Sequence, residues 1–116
     1  MIFTNLRKDA LMINFDYESG VLVVYIGGEI DHHNAKGLRE EIDMLILQLT
    51  PKRLVLDFNG VSFMDSSGLG LVLGRYTKAR AADIEFAVSN ADRRILQIFE
   101  MAGMDRLINF EGKKVV

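Results

Sequence analysis

The segment Arg53-Leu54-Val55-Leu56-Asp57-Phe58 has apolar residues on both of its faces. Successive strand residues point to opposite sides, so such a strand is covered on both sides and belongs inside a sheet. Downstream, Leu69, Val72, Leu73, Tyr76 and Ala79 recur at helical spacing. A central strand that hands over to an amphipathic helix is the unit from which α/β domains are built. The rest of the chain must supply its neighbours.

Upstream, residues 10–17 alternate weakly and read as a strand, Glu18-Ser19-Gly20 as a turn, and Val21-Leu22-Val23-Val24-Tyr25-Ile26 as a strong β-branched strand. Gly27-Gly28 marks a bulge or a close backbone approach near its end. Ala35, Leu38, Ile42, Leu45, Ile46 and Leu49 form one helical stripe. Asp31 is a candidate cap ahead of that helix, and Pro51, the only proline, stops it. Beyond the second helix, Ile84 to Val88 reads as a short strand. Ser89 or Asn90 is then expected to cap a third helix bearing Ile95, Leu96, Phe99 and Ala102, with Gly103 just past its end. Leu107 to Phe110 is the last expected strand.

The predicted order is β-β-α-β-α-β-α-β. The fold class is α/β: one domain with a mixed, mostly parallel β-sheet packed against helices, its first two strands forming a hairpin. The domain is expected to span residues 10–110. Met1 to Asp9 exceeds what the strand pattern needs and is expected to be mobile. Residues 111–116 form a short tail.

Composition narrows the function classes. The 116 residues suit a single domain. Fourteen basic and 16 acidic residues leave a formal charge of −2, so no long-range field favours nucleic acid or an anionic membrane. The absence of cysteine excludes disulfides and thiolate metal sites. No apolar run approaches the ~20 residues that span a bilayer, and the N-terminal charges follow the apolar piece, the reverse of a signal peptide. The chain is expected to be cytoplasmic.

Asp65-Ser66-Ser67 stands where the central strand meets the second helix. A helix N-terminus carries unpaired N–H groups and partial positive charge, and it accommodates phosphate. Helix capping alone would need one such residue; three are present. Gly68 and Gly70 follow, each costing about 1 kcal/mol of helix stability, which suggests a close approach to the backbone. Gly68, Gly70 and Gly74 form GxGxxxG, one residue too long for a dinucleotide fingerprint, and the second half of a doubly wound domain is absent. Ser66 or Ser67 with His32 or His33 and Asp31 or Asp65 offers the residue types of a hydrolase, without a G-x-S-x-G elbow. The adjacent histidines read better as a solvated helix start, and no third well-spaced ligand makes them a metal site. If strand 21–30 runs parallel to 53–58, Asp31 and Ser66 fall on one edge and form one partner-facing patch.

Gly28-Glu29-Ile30-Asp31-His32-His33, Ser62 through Gly70 and Val72-Leu73-Gly74-Arg75-Tyr76 resemble the STAS-domain family of anti-anti-sigma factors, and its sporulation branch in particular. Ser89 through Arg94 and Met101-Ala102-Gly103 resemble that family's third-helix region. The match covers most of residues 10–110. The resemblance implies a non-catalytic, STAS-like domain that, unphosphorylated, binds an anti-sigma factor that is also a serine kinase, and so frees a sigma factor. The kinase brings its own ATP and magnesium, and the chain needs no cofactor. The phosphorylated residue is implied to be Ser66, the first serine after the motif aspartate. Ser67 is the backup acceptor on chemistry alone. Asp31 matches the family's acidic partner contact near the kinase's nucleotide. The implied partner-binding set is Asp31, Asp65, Ser66, Ser67, Gly68 and Leu69. A serine phosphatase would reset the switch. A monomer, or at most a weak dimer, is expected.

The alternatives are a STAS regulator of another pathway, such as general stress, and a small-ligand or nucleotide sensor using the Gly68/Gly70/Gly74 region. The family usually ends in a further amphipathic helix. Glu111-Gly112-Lys113-Lys114-Val115-Val116 is too short for one, so that helix is expected to be missing.

Overall fold

A computed structural model describes residues 2–6 and 12–112. The elements are β1 (Ile2–Leu6), β2 (Met12–Glu18), β3 (Val21–Ile30), α1 (Ala35–Leu49), β4 (Arg53–Met64), α2 (Ser66–Ala81), β5 (Glu85–Ser89), α3 (Arg93–Met101), a 3-10 turn (Met104–Arg106) and β6 (Asn109–Glu111). From β2 onward the order is the one the sequence predicts. The six strands lie in the sheet in chain order. β1, β2 and β3 pair antiparallel, whereas β3, β4, β5 and β6 run parallel.

The hairpin between β2 and β3 turns at Ser19 and Gly20, both with positive φ (53° and 83°). Two such residues match the right-handed twist of the flanking strands. Ile2–Leu6 was not read as a strand from its sequence. It adds an edge strand beyond the expected five, held by its ladder to β2. Residues 1, 7–11 and 113–116 lie outside the described residues, so the expected mobility of the first nine residues and the expected tail are addressed only for Ile2–Leu6, Glu111 and Gly112.

Strand register sorts the side chains into two sets. Phe15, Val24, Leu56, Val88 and Phe110 form one cross-sheet row. They join the cluster to which α1 contributes Leu38, Ile42 and Ile46, α2 Leu71, Val72 and Ala79, and α3 Ile95 and Phe99. Phe99 meets Phe58 and Phe110 at centroid distances of 5.9 and 5.0 Å. The alternate row, Asn14, Tyr25, Asp57, Ser89 and Glu111, is polar. β4 is internal as expected, paired with β3 on one edge and β5 on the other, although its second face mixes Val55 with Arg53 and Asp57.

Both long strands outrun their sequence patterns. The β3–β4 register shifts between Tyr25 and Gly27 and again between Gly28 and Glu29. At Gly60 an added Cβ would lie 3.2 Å from the Ile26 carbonyl oxygen and 3.4 Å from Gly27 Cα. These glycines allow the close strand approach anticipated at Gly27-Gly28, and they interrupt the alternation from which strand length is judged.

Three local expectations need correction. The cap of α3 is Asp92, whose carboxylate accepts the Ile95 N–H at 2.9 Å. Ser89 and Asn90 are occupied elsewhere: Ser89 Oγ and Asn90 Nδ2 donate to Asp57 Oδ2 at 2.9 and 2.6 Å. The buried face of α2 is Gly68, Leu71, Val72, Arg75 and Ala79, and Leu73 is exposed. The last strand starts at Asn109, because Leu107 still belongs to the turn that follows the 3-10 segment.

Candidate functional site

β3 and β4 are parallel, so their C-terminal ends share one edge of the sheet. Their final residues, Ile30 and Met64, are register partners, and the Asp65 N–H donates to the Ile30 carbonyl at 3.1 Å. Asp31 and Asp65 therefore follow neighbouring strand ends, as the parallel arrangement requires. α1 and α2 both depart from this edge.

Asp65 is the N-cap of α2. Its Oδ1 accepts the Ser67 N–H at 2.8 Å, and its carbonyl accepts the Gly68 N–H at 3.0 Å. The Ser67 backbone N–H holds the Asp65 carboxyl below the usual aspartate range, helped by the Ser67 side chain and by His32. Ser66 is the first helical residue and is exposed, whereas Ser67 is half-buried. The helix start is thus pinned by Asp65, and the Ser66 hydroxyl projects from a formed helix N-terminus.

Asp31 is half-exposed and organises the turn into α1. Its Oδ1 accepts the N–H groups of His33 and Asn34 at 3.0 Å each. Its carbonyl accepts from Ala35 N at 2.9 Å. The N-cap position itself belongs to Asn34, whose side chain donates instead to the Glu29 carbonyl at 3.0 Å. Asp31 is therefore a turn-holding residue on the same edge as Ser66.

The two motif glycines have different causes. Gly68 is buried, and a Cβ there would collide with Cγ and Sδ of Met64. The close approach at Gly68 is internal: it seats the first turn of α2 on the end of β4. A Cβ at Gly70 or Gly74 would meet no atom within 4 Å. Leu69 is half-buried against the core.

His32 and His33 are exposed, with their rings edge to face at 5.6 Å. Among the described residues no group of three or more His, Cys, Asp or Glu side chains is arranged to hold a metal ion. No described helix is long and apolar enough to cross a membrane.

The sequence reading missed the basic side chains beside the serines. A groove between α1 and α2 is lined by His32, Ala35, Lys36, Arg39, Ser67, Gly70 and Leu71. Lys36 and Arg39 are three residues apart on α1 and share one face, and His32 stands in the turn just before that helix. That spacing was a usable signal, but only the packing of α1 beside α2 brings it to Ser67. Farther along the same seam Arg75 is buried, with its Nε 2.9 Å from Asp43 Oδ1 in an ion pair that lacks hydrogen-bond alignment. Burial lowers the Arg75 pKa, and the Asp43 charge opposes that shift.

Comparison with known proteins matches residues 12–114 to the STAS domain. An anti-sigma F factor antagonist from Paenibacillus polymyxa is 34% identical over 105 residues, covering 90% of each chain. An anti-sigma-B factor antagonist from Bacillus subtilis is 32% identical over 90 residues, covering 78% of this chain and 81% of its own. Among solved structures, the anti-sigma factor antagonist SpoIIAA in its unphosphorylated form superposes with a TM-score of 0.72 at 27% identity, covering 90% of this chain and 88% of that one. The Bacillus cell fate determinant SpoIIAA in its phosphorylated form gives 0.67 at 27% identity, covering 90% and 91%. The chain belongs to the STAS-domain family.

Proposed function

We propose that this chain is an anti-anti-sigma factor whose unphosphorylated form captures an anti-sigma factor with serine-kinase activity, frees a sigma factor, and is switched off by phosphorylation of Ser66. The observation that carries this reading is the exposed Ser66 on a capped helix N-terminus, on the same sheet edge as Asp31. The names of the F-type relative and of the two SpoIIAA forms support it. The partner surface comprises Asp31, Asp65, Ser66, Ser67 and Leu69, with Gly68 contributing by seating the helix.

In the modification step Ser66 Oγ attacks the γ-phosphorus of the kinase's ATP. The new O–P bond forms as the bond to the leaving ADP breaks, and the serine proton passes to a base on the kinase. The product carries about −1.5 to −2 of added charge at one exposed spot. It needs no refolding, because the helix end that bears it is already formed and favours anions. Binding is lost through repulsion and desolvation against the kinase's own bound nucleotide. A phosphatase restores the hydroxyl by adding water across the O–P bond. The chain itself catalyses nothing, holds no cofactor and works in the cytoplasm of a sporulating cell.

Intact and peptide mass spectrometry after incubation with an F-type anti-sigma kinase and ATP tests the reading. One phosphate on Ser66, absent from Ser66→Ala, is expected. No phosphate from a kinase that binds the chain and modifies its own substrate would overturn it. A B-type, general-stress partner is the second reading, favoured by the B. subtilis relative. Modification by the B-type kinase alone would select it.

A further inference from the structure

α2 turns an uncharged face outward. From Ser66 to Thr77 its exposed residues are Ser66, Gly70, Leu73 and Thr77, spaced by four, three and four, which is one helical face. The only charged residue in that stretch is Arg75, and it is buried beside Asp43. Exposed charge returns at Lys78 and Arg80, in the last turn. A surface helix usually carries charged and polar side chains on its outer face. The other helices do so: α1 exposes Lys36, Arg39 and Glu40, and α3 exposes Arg93, Arg94 and Glu100. At the middle of the uncharged face Leu73 is 41% exposed. Gly70, between Ser66 and Leu73, has no side chain to screen either. Thr77, one turn beyond, bonds its hydroxyl back to the Leu73 carbonyl at 2.9 Å.

Resting on the reading above, we infer that this face of α2 lies inside the footprint of the anti-sigma kinase, with Leu73 as its apolar anchor. A kinase that modifies Ser66 must bring its nucleotide to about 3–3.5 Å from Ser66 Oγ. Leu73 is seven residues further along the same face, about 10 Å at the helical rise. A standard interface covers about 800 Å² of each partner, a disc of about 16 Å radius. A contact centred on Ser66 therefore reaches Leu73. The cores of such interfaces are depleted of charge, as this face is. A single exposed leucine is ordinary on a protein surface, and Leu47 and Met101 are more exposed still. They stand on α1 and α3, off the face that carries Ser66. Position sets Leu73 apart, and the surface that meets it on the kinase is apolar and adjoins the nucleotide site.

Calorimetry of the full chain against an F-type anti-sigma kinase tests this. Leu73→Gln keeps helix propensity and removes the apolar end. It is expected to weaken binding about tenfold, whereas Leu73→Met binds as the native chain does. Leu47→Gln and Met101→Gln are expected to leave the affinity unchanged. With ATP, Leu73→Gln is expected to raise KM for modification of Ser66 and to leave kcat alone, because the contact is made equally before and during transfer. Methyl NMR of the native chain needs no variant: the Leu73 methyl signals are expected to shift when the kinase is added, and the Met101 methyl signal to stay. Equal affinity of Leu73→Gln and the native chain, an equal loss in Leu47→Gln, or unmoved Leu73 methyl signals would overturn the anchor and leave the Ser66 switch standing. A native chain that neither binds the kinase nor accepts phosphate would overturn both.

Discussion

Asp65 acts through one carboxylate in two ways. It caps α2 by accepting the Ser67 N–H, and that bond keeps the group ionised below the usual aspartate range. Its folded pKa lies below its unfolded value, near 3.9. The stabilisation is therefore fully present above about pH 4 and is lost as pH falls through the lower folded value. Asn also caps helices. Asp65→Asn is accordingly expected to melt below wild type at neutral pH and to approach it under acid, whereas Asp65→Ala melts lower than either at neutral pH. Thermal melts followed by circular dichroism from neutral pH into the acid range check this. A gap between wild type and Asp65→Asn that stays constant with pH would mean the carboxylate charge contributes nothing. This residue was legible in the sequence because capping is local, reaching two positions along the chain. Lys36 and Arg39 were not, because their relation to Ser67 is made by two helices packing side by side. Ser89 and Asn90 misled for the same reason: Asp57, more than 30 positions earlier, takes their side chains.

At the scale of elements, α2 is positioned by what Gly68 lacks. Its first turn sits on Met64, and the cap bonds of Asp65 join it to the end of β3. Gly68→Ala must displace a buried methionine, at about 1–3 kcal/mol, offset by up to about 1 kcal/mol of helix propensity. A net loss of about 1–2 kcal/mol in urea unfolding is expected, with no gain in partner binding. Gly70→Ala should stabilise the unmodified chain, because only the propensity gain remains. Stabilisation of both variants would show that Met64 yields freely. The elements themselves were readable where periodicity was clean, as in α1 and in the interior of β4. Strand ends were not, because Gly27, Gly28 and Gly60 break the period-2 pattern while allowing β3 and β4 to continue together. α2 presented the opposite difficulty. Its sequence is apolar around much of the helix, so Leu73 looked as buried as Val72, and only tertiary packing separates them. Ile2–Leu6 lacks a clean period-2 alternation, so only its ladder to β2 makes it a strand.

Across the whole molecule the net charge is only −2. The proposed phosphorylation of Ser66 would add about −1.5 to −2 at one point and nearly double the formal charge without requiring any change in the mixed sheet. The effect on a partner must then act over the few ångströms around the α2 N-terminus rather than through a global field or a change of fold. Charge repulsion at an exposed site is screened, with a Debye length near 10 Å at 0.1 M salt and about 3 Å at 1 M. A steric block is not screened. Binding of the anti-sigma partner to Ser66→Ala and Ser66→Asp, measured by calorimetry across that salt range, separates the two. Ser66→Ala should retain affinity, and Ser66→Asp should bind more weakly at low salt, with the ratio shrinking as salt rises. Equal affinity of the two variants at low salt would remove charge from the switch. A deficit in Ser66→Asp that is indifferent to salt would move the cause from charge to the shape of the helix start, where even one added carboxylate crowds the partner.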